Sequence, residues 1–285
     1  MVVDLTRFPY NGITNVRART LTEAITADPV DHGFVVVTLK AEAGEASSLA
    51  APTRMFAQQL RRSADETGFG GITAYRQLRR DEMGGAVPFD QAFCESVLGD
   101  IAARRGTQSD RFPGLVSTEN FVLSNTMADW VLMITFGSCD EALAAARAWQ
   151  HQDSPFAAAF SGHVVRFTIN AFQNVMRYAN VSLDPDVIQF FNLFPGPGDP
   201  DGLWPAWEEV LPRYFDAAEI RSSFPLKALD AQQPLILVNY AHADSVKHFL
   251  LSMIFDPNFL EDIERCYEGR GFAFPHPFFC KVVPV

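Results

Sequence analysis

Apolar residues follow two alternating rhythms along the chain. Short runs rich in β-branched and aromatic residues read as strands. They are Gly33 to Lys40, Ile72 to Leu78, Trp130 to Phe136, Val164 to Ile169 or beyond, Val187 to Phe194, Phe224 to Leu229, Leu235 to Tyr240 and Phe278 to Val285. Between them lie stretches with helical spacing. One runs from about Ser48 to Glu66, with Pro52 suited to its first turn and Met55, Phe56 and Leu60 on its apolar side. Ser138-Cys139-Asp140-Glu141 caps an alanine-rich helix over 141–151, which Asp153-Ser154-Pro155-Phe156 interrupts. Trp204 to Ile220 is a third helix. The fourth follows Ala241-His242-Ala243-Asp244 and carries Val246, Phe249, Leu250, Met253 and Ile254 on one face. It pauses at Asp256-Pro257-Asn258 and stops near Gly269.

The remaining segments have other patterns. Residues 1–32 are mixed, with a short helical stretch from Thr20 to Thr26, and read as an N-terminal arm. Gly68-Phe69-Gly70-Gly71 reads as a loop, Phe89 to Arg104 as an additional helix, Gly106 to Asn120 as polar loop, and 178–186 as a linker.

The order of elements repeats. Val131 to Phe136 can be set over Leu235 to Tyr240, and Asp140 then meets Asp244. Phe34 to Thr38 can be set over Ile188 to Asn192, and Gly44 then meets Gly198. The two offsets differ by about 50 residues, an insertion in the first copy that falls within 67–125. Each copy, 33–180 and 187–285, reads strand, helix, strand, strand, helix, strand, which is the ferredoxin-like plan. Such a unit has both helices on one face of a four-stranded antiparallel sheet and leaves the other face apolar. Two copies cover each other sheet to sheet. The expected fold class is therefore α+β, two ferredoxin-like βαββαβ repeats pairing into an intramolecular α+β barrel with a cavity between the sheets. Strand–helix units are common enough that chance similarity is the competing explanation of the repeat.

The segment Asn239-Tyr240-Ala241-His242-Ala243-Asp244-Ser245-Val246, with His248 and Asp256-Pro257-Asn258-Phe259 after it, resembles the dimeric α+β barrel superfamily. Within it the chain looks most like antibiotic-biosynthesis monooxygenase and EthD-like domains. Tyr240 stands where that pattern has a Trp, Ser154-Pro155-Phe156 and Asp256-Pro257-Asn258-Phe259 resemble its helix break, and His248 comes one residue before its helix histidine. The first copy has Phe136 and Ala144 where the second has Tyr240 and His248. The superfamily's activities include cofactor-free oxygenation of phenolic polyketides, cyclisation, isomerisation and, in some branches, haem chemistry. The tandem plan is shared with dye-decolourising peroxidases, but their Gly-x-x-Asp-Gly motif is missing, so haem is the minor option.

Composition narrows the classes. With 48% hydrophobic residues the 285-residue chain can bury one large core or two ordinary ones. A net charge of −11 disfavours nucleic acid and anionic lipid as partners. No apolar run is long enough for a membrane span, and Met1 to Arg7 do not read as a secretory signal. Cys94, Cys139, Cys266 and Cys280 are scattered, as reduced thiols of a cytoplasmic protein would be. The 25 phenylalanines suit an apolar small-molecule cavity as well as plain core filling. No Walker, Rossmann, nucleophile-elbow or His-x-x-x-His signature is present, and His242 and His248 lack a metal-binding helical spacing.

Strand alternation sorts the candidate residues. Val35, Val37 and Leu39 form a purely apolar face for the helices, so Phe34, Val36 and Thr38 look inward, and with them Phe190 and Asn192 in the second copy. Ile236, Val238 and Tyr240 share a face, which the resemblance directs into the barrel. Tyr240 is the leading catalytic candidate, since a buried phenol can donate to a substrate oxygen or steady an oxyanion; the plainer reading is a hydroxyl bonded to backbone. Asn192 offers an amide to orient a carbonyl or dioxygen, and His242, in a strand-to-helix loop, offers a base; both also suit ordinary polar roles at a barrel mouth. Phe190, Val238, Thr38, Phe136, His248 and His276 complete the expected substrate-contacting set, with His276 held in a loop between Pro275 and Pro277. The sequence thus points to a cofactor-independent monooxygenase acting on an apolar aromatic or polyketide-like compound, with a homodimer compatible. A cyclase or isomerase of the same fold is the alternative, as is a non-catalytic binder or stress-type protein using the 67–125 insertion.

Overall fold

The computed structural model describes residues 32–42, 44–78, 128–174, 188–194, 222–230, 236–242 and 276–285; for 174, 188–194, 222–225, 236–242 and 276–279 it describes the backbone alone. The expected helices at 89–104, 204–220 and 246–269, and with them His248, lie outside the described residues.

Strand β1 (Gly33–Lys40) forms where the Val-Val-Val run placed it. Its first seven residues are buried, because both faces are covered. A 3-10 turn at Ala46–Leu49 leads into helix α1 (Ala50–Arg62), with Pro52 in the first turn where its missing N–H costs nothing. The single helix expected to Glu66 is in fact broken at Ser63. A second short helix, α2 (Ala64–Thr67), ends on Gly68 at φ 67°, a left-handed cap suited to glycine. The glycine-rich stretch that follows is not a loop. Strand β2 (Phe69–Gln77) begins at Phe69, and a register shift between Phe69 and Gly71 absorbs Gly70 as a bulge.

Strand β3 (Trp130–Phe136) matches its expected bounds. Helix α3 (Cys139–Trp149) starts behind Ser138, whose hydroxyl accepts the Glu141 amide, while the Glu141 carboxylate accepts from that hydroxyl. Helix α4 (Pro155–Phe160) is capped by Ser154, whose hydroxyl accepts the Ala157 amide and donates to the Trp149 carbonyl. The remaining strands are β4 (Arg166–Asn174), β5 (Ile188–Phe194), β6 (Ser222–Ala228), β7 (Ile236–His242) and β8 (His276–Val283). His242 therefore belongs to a strand, paired with Ile188, rather than to a loop. His276 opens β8, paired with Leu193, rather than sitting in a proline-held loop.

The eight described strands close into one antiparallel barrel in the order β1-β3-β2-β8-β5-β7-β6-β4. The first four lie as β4-β1-β3-β2 and the last four as β8-β5-β7-β6, the same order within each set. With helices between β1 and β2 and between β3 and β4, residues 33–174 follow the βαββαβ sequence of elements. Among the described residues the two sets meet along β2 with β8, from Ala74–Val283 to Gln77–Cys280, and along β4 with β6, from Phe172–Ala228 to Asn174–Leu226.

Two apolar layers result. The outer layer joins Val35, Val37 and Leu39, together with Leu132, Ile134, Ile169 and Ala171, to the helices. At its centre the fully buried Phe56 ring meets Trp149, Phe156 and Phe160 edge-on, with centroids at 5.0, 5.8 and 5.7 Å. Among the described residues the inner layer contains no helical residue. It is Phe34, Val36, Tyr75, Val131, Met133, Phe172, Leu226 and Cys280, drawn from six strands across the lumen. Alternation in the first half is as expected, with Phe34, Val36 and Thr38 inward and Val35, Val37 and Leu39 outward.

Candidate functional site

Residues from both halves converge in the inner layer of the barrel. Its wall in the first half consists of parallel rows set by the ladder register. Phe34 pairs with Thr135 and Phe172, Val36 with Met133 and Asn170, and Thr38 with Val131 and Thr168; Tyr75 extends the last row beyond Val131. The wall is apolar in the middle and polar at intervals. Thr38 is buried, and its Oγ1 lies 2.6 Å from Thr168 Oγ1. Thr73, Thr135, Thr168 and Asn170 share the inward parity and stay partly exposed, unlike the packed aromatic and aliphatic residues beside them. A side chain added at Gly71, also of inward parity, would meet nothing within 4 Å. The polar residues of inward parity other than Thr38 therefore keep some accessible surface.

Tyr75 and Cys280 stand close together on this wall and are both buried. Burial pushes the Tyr75 phenol well above its ordinary range, a nearby Cys280 thiolate would push it further, and a hydrogen bond with Thr73 acts the other way. Burial likewise raises the Cys280 thiol, partly offset by the Arg76 guanidinium. Both groups are neutral at physiological pH. One barrel end is stitched by Asp129, which lies beside the last residues of β1 and β2. Its carboxylate accepts from Lys40 Nζ at 2.6 Å and from the Ala41 amide at 2.9 Å. Its own amide donates to the Leu39 carbonyl, and its carbonyl accepts from the Gln77 amide. Among the described residues no group of three or more His, Cys, Asp or Glu could hold a metal ion, and no helix is long and apolar enough to cross a membrane.

The structure redistributes the residues expected from sequence. Thr38 is on the inner wall as expected. Phe136 is not: it packs in the helix-side layer, 6.5 Å from Phe69 and 6.0 Å from Trp149 between ring centroids. The inner face expected for the second half is displaced by one residue. Leu226 and Cys280 belong to the inner layer, and the ladders pair Leu226 with Leu237 and Cys280 with Gln189. Inward parity therefore falls on positions 189, 191 and 193 and on 237, 239 and 241. Phe190, Asn192, Val238, Tyr240 and His242 occupy the opposite, outward parity. His276 shares the inward parity of Cys280, at the barrel end where β2 finishes. Sequence reasoning passed over Tyr75, Thr168, Asn170 and Cys280. The polar alternation Arg166-Thr168-Asn170 against Phe167-Ile169-Ala171 was the available signal for two of them.

No family model matches the chain, and no curated protein matches it in sequence. Its fold is similar to that of a crystal structure described as an anthrone oxidase-like protein, at TM-score 0.54 and 10% identity, covering 90% of this chain and 93% of that one. Two further crystal structures are provisionally named monooxygenases. One, from Lactobacillus acidophilus, has TM-score 0.45 and 7% identity over 88% of this chain and 94% of that one. The other, from Fusobacterium nucleatum, has TM-score 0.46 and 8% identity over 90% and 94%. At such identities the first likeness shows the fold and not the chemistry.

Proposed function

We propose that the protein is an oxidative enzyme that receives an apolar aromatic compound in the barrel lumen, with an anthrone as the first substrate class to test. The observation that carries this reading is the inner wall itself. Phe34, Val36, Met133, Phe172 and Leu226 make an apolar surface, and the partly exposed residues Thr73, Thr168 and Asn170, of inward parity, interrupt it. An apolar wall with a few fixed polar groups suits a flat ring compound bearing oxygens. The fold likeness to a protein described as anthrone oxidase-like is the reason an anthrone is the first class to test.

The chemistry needs little from the protein. Removing a proton from the methylene carbon of an anthrone gives an electron-rich carbanion that can react directly with dioxygen. Anthrone and dioxygen give the anthraquinone and water, with both electron pairs supplied by the substrate. The reading therefore invokes no bound cofactor. It asks for a base, and His276 takes that role here in place of His242, supported by its inward register position. The roles expected for Tyr240 and Asn192 pass to inner-wall residues, because their positions have outward parity. A tandem duplication, with repeats over 33–180 and 187–285, is part of the same proposal and is supported by the matching strand order of the two sets.

The test is dioxygen uptake and quinone absorbance on mixing the purified protein with anthrone, against His276→Gln. Uptake above the uncatalysed rate, lowered about 100-fold or more by the variant, is the expected result for loss of a general base. No rate enhancement over buffer refutes the oxidative reading. A Soret band in the purified protein refutes its cofactor-free form.

A further inference from the structure

We infer that Thr168 and Asn170 form an oxygen-binding edge of the lumen, specific for a ring compound carrying a carbonyl or phenol oxygen, with Thr38 as the positioning residue behind it. This rests on the proposal that the lumen takes an aromatic ligand and goes beyond it by naming what selects the ligand.

Thr168 and Asn170 are successive inward positions on β4, opposite Thr38 and Val36 of β1. Both keep accessible surface, while the neighbouring Val36, Thr38 and Phe172 are buried. Among the described residues the β4–β6 ladder begins at Phe172, and the Leu229 amide donates to the Ala171 carbonyl just before it, so Thr168 and Asn170 lie beyond the last of these described contacts. They form a polar edge next to the apolar wall.

The Thr38–Thr168 contact decides what the edge offers. Each hydroxyl carries one hydrogen, and at 2.6 Å one of them donates to the other. Thr38 is buried, so its hydroxyl is held in the wall and Thr168 is the more exposed member. When Thr38 donates, the Thr168 hydrogen is directed elsewhere; when Thr168 donates, its lone pairs remain. The pair can accordingly answer either a carbonyl or a phenol, and the Asn170 amide can do the same. A hydrocarbon at this edge would leave these groups unanswered, which is the usual source of discrimination by polar sites.

The experiment uses the full chain and two unreactive probes of like shape, 9,10-anthraquinone and anthracene, with binding followed by ligand fluorescence or absorbance. The wild type is expected to prefer the quinone. Thr168→Val and Asn170→Leu should each reduce that preference roughly tenfold, the worth of one ordinary hydrogen bond with its desolvation. Anthracene affinity should stay unchanged, which also reports an intact lumen. Thr38→Val should weaken the preference by a smaller factor, and Thr38→Ser should restore it. A preference unaltered in both edge variants, or binding of neither probe by folded wild type, overturns the inference. Binding needs no turnover, so failed oxidation with the preference present and erased by the variants counts against the oxidative reading and for the binding edge.

Discussion

Gly33 is the position where β1 passes closest to the start of α3, and replacing it tests that packing directly. A Cβ built there would lie 2.4 Å from Ala142 Cβ, 2.4 Å from the Ser138 carbonyl oxygen and 2.8 Å from Cys139 Cα. Two of these three atoms are backbone, so no rotamer change relieves the clash. Ser138 is moreover the cap of α3, so moving it strains the helix start as well. Forced overpacking of this kind costs about 1–3 kcal/mol, occasionally more. Reduced freedom of the unfolded chain returns about 0.4–1 kcal/mol, leaving a net loss of about 1–2 kcal/mol for Gly33→Ala. In a chain of this size that corresponds to a melting point lower by about 2–6 °C. Gly71→Ala is the control, since its added Cβ meets nothing within 4 Å. That variant should match the wild type or gain up to about 1 kcal/mol. Differential scanning calorimetry of the three proteins reads the outcome. Equal melting points for Gly33→Ala and Gly71→Ala would refute the close approach of β1 to α3.

Three other expectations follow from the packing and ionisation. Phe56→Ala removes a fully buried ring with three edge-on aromatic partners and should cost about 3–5 kcal/mol by urea titration, whereas Phe167→Ala, 44% exposed with one ring neighbour, should cost under about 1 kcal/mol. Asp129→Ala leaves the Ala41 amide without its acceptor and should cost about 1–3 kcal/mol; Asp129→Asn, which retains an acceptor oxygen, should cost less, and equal losses would contradict the assigned bonds. Tyr75 and Cys280 stay neutral in the fold but ionise near 10.0 and 9.0 once unfolded. Above those values the unfolded chain binds fewer protons than the native one. Their contribution is therefore intact below about pH 9 and is lost as pH rises, by up to about 1.4 kcal/mol per unit per group. Urea midpoints measured from pH 8 to 11 should fall less steeply for Tyr75→Phe than for wild type.

Legibility from sequence varied with how local the deciding forces are. β1 and β3 are dense β-branched and apolar runs with clear breaks at both ends, and their bounds could be read directly. The serine caps of α3 and α4 are equally local. Strand ends at His242 and His276 could not be read, because their partners Ile188 and Leu193 are distant in the chain. The inner face of β5 was misread for a related reason. Ile-Gln-Phe-Phe-Asn-Leu-Phe has apolar residues on both parities, so composition does not fix the phase, and a slip of one residue exchanges the faces. Phe136 was misplaced because aromatic character fits either layer, and only the packing on Trp149 decides between them. Tyr75 and Cys280 belong to strands far apart in sequence, and nothing local marks their meeting.

The short ladder joining β2 to β8 bears on how such a closed wall breathes. Four residue pairs hold that seam, against seven and eight for the ladders of β1 with β3 and β4. Fewer cooperative bonds must part there for a local opening. Amide protons at that seam should therefore exchange with deuterated solvent sooner than those of β1.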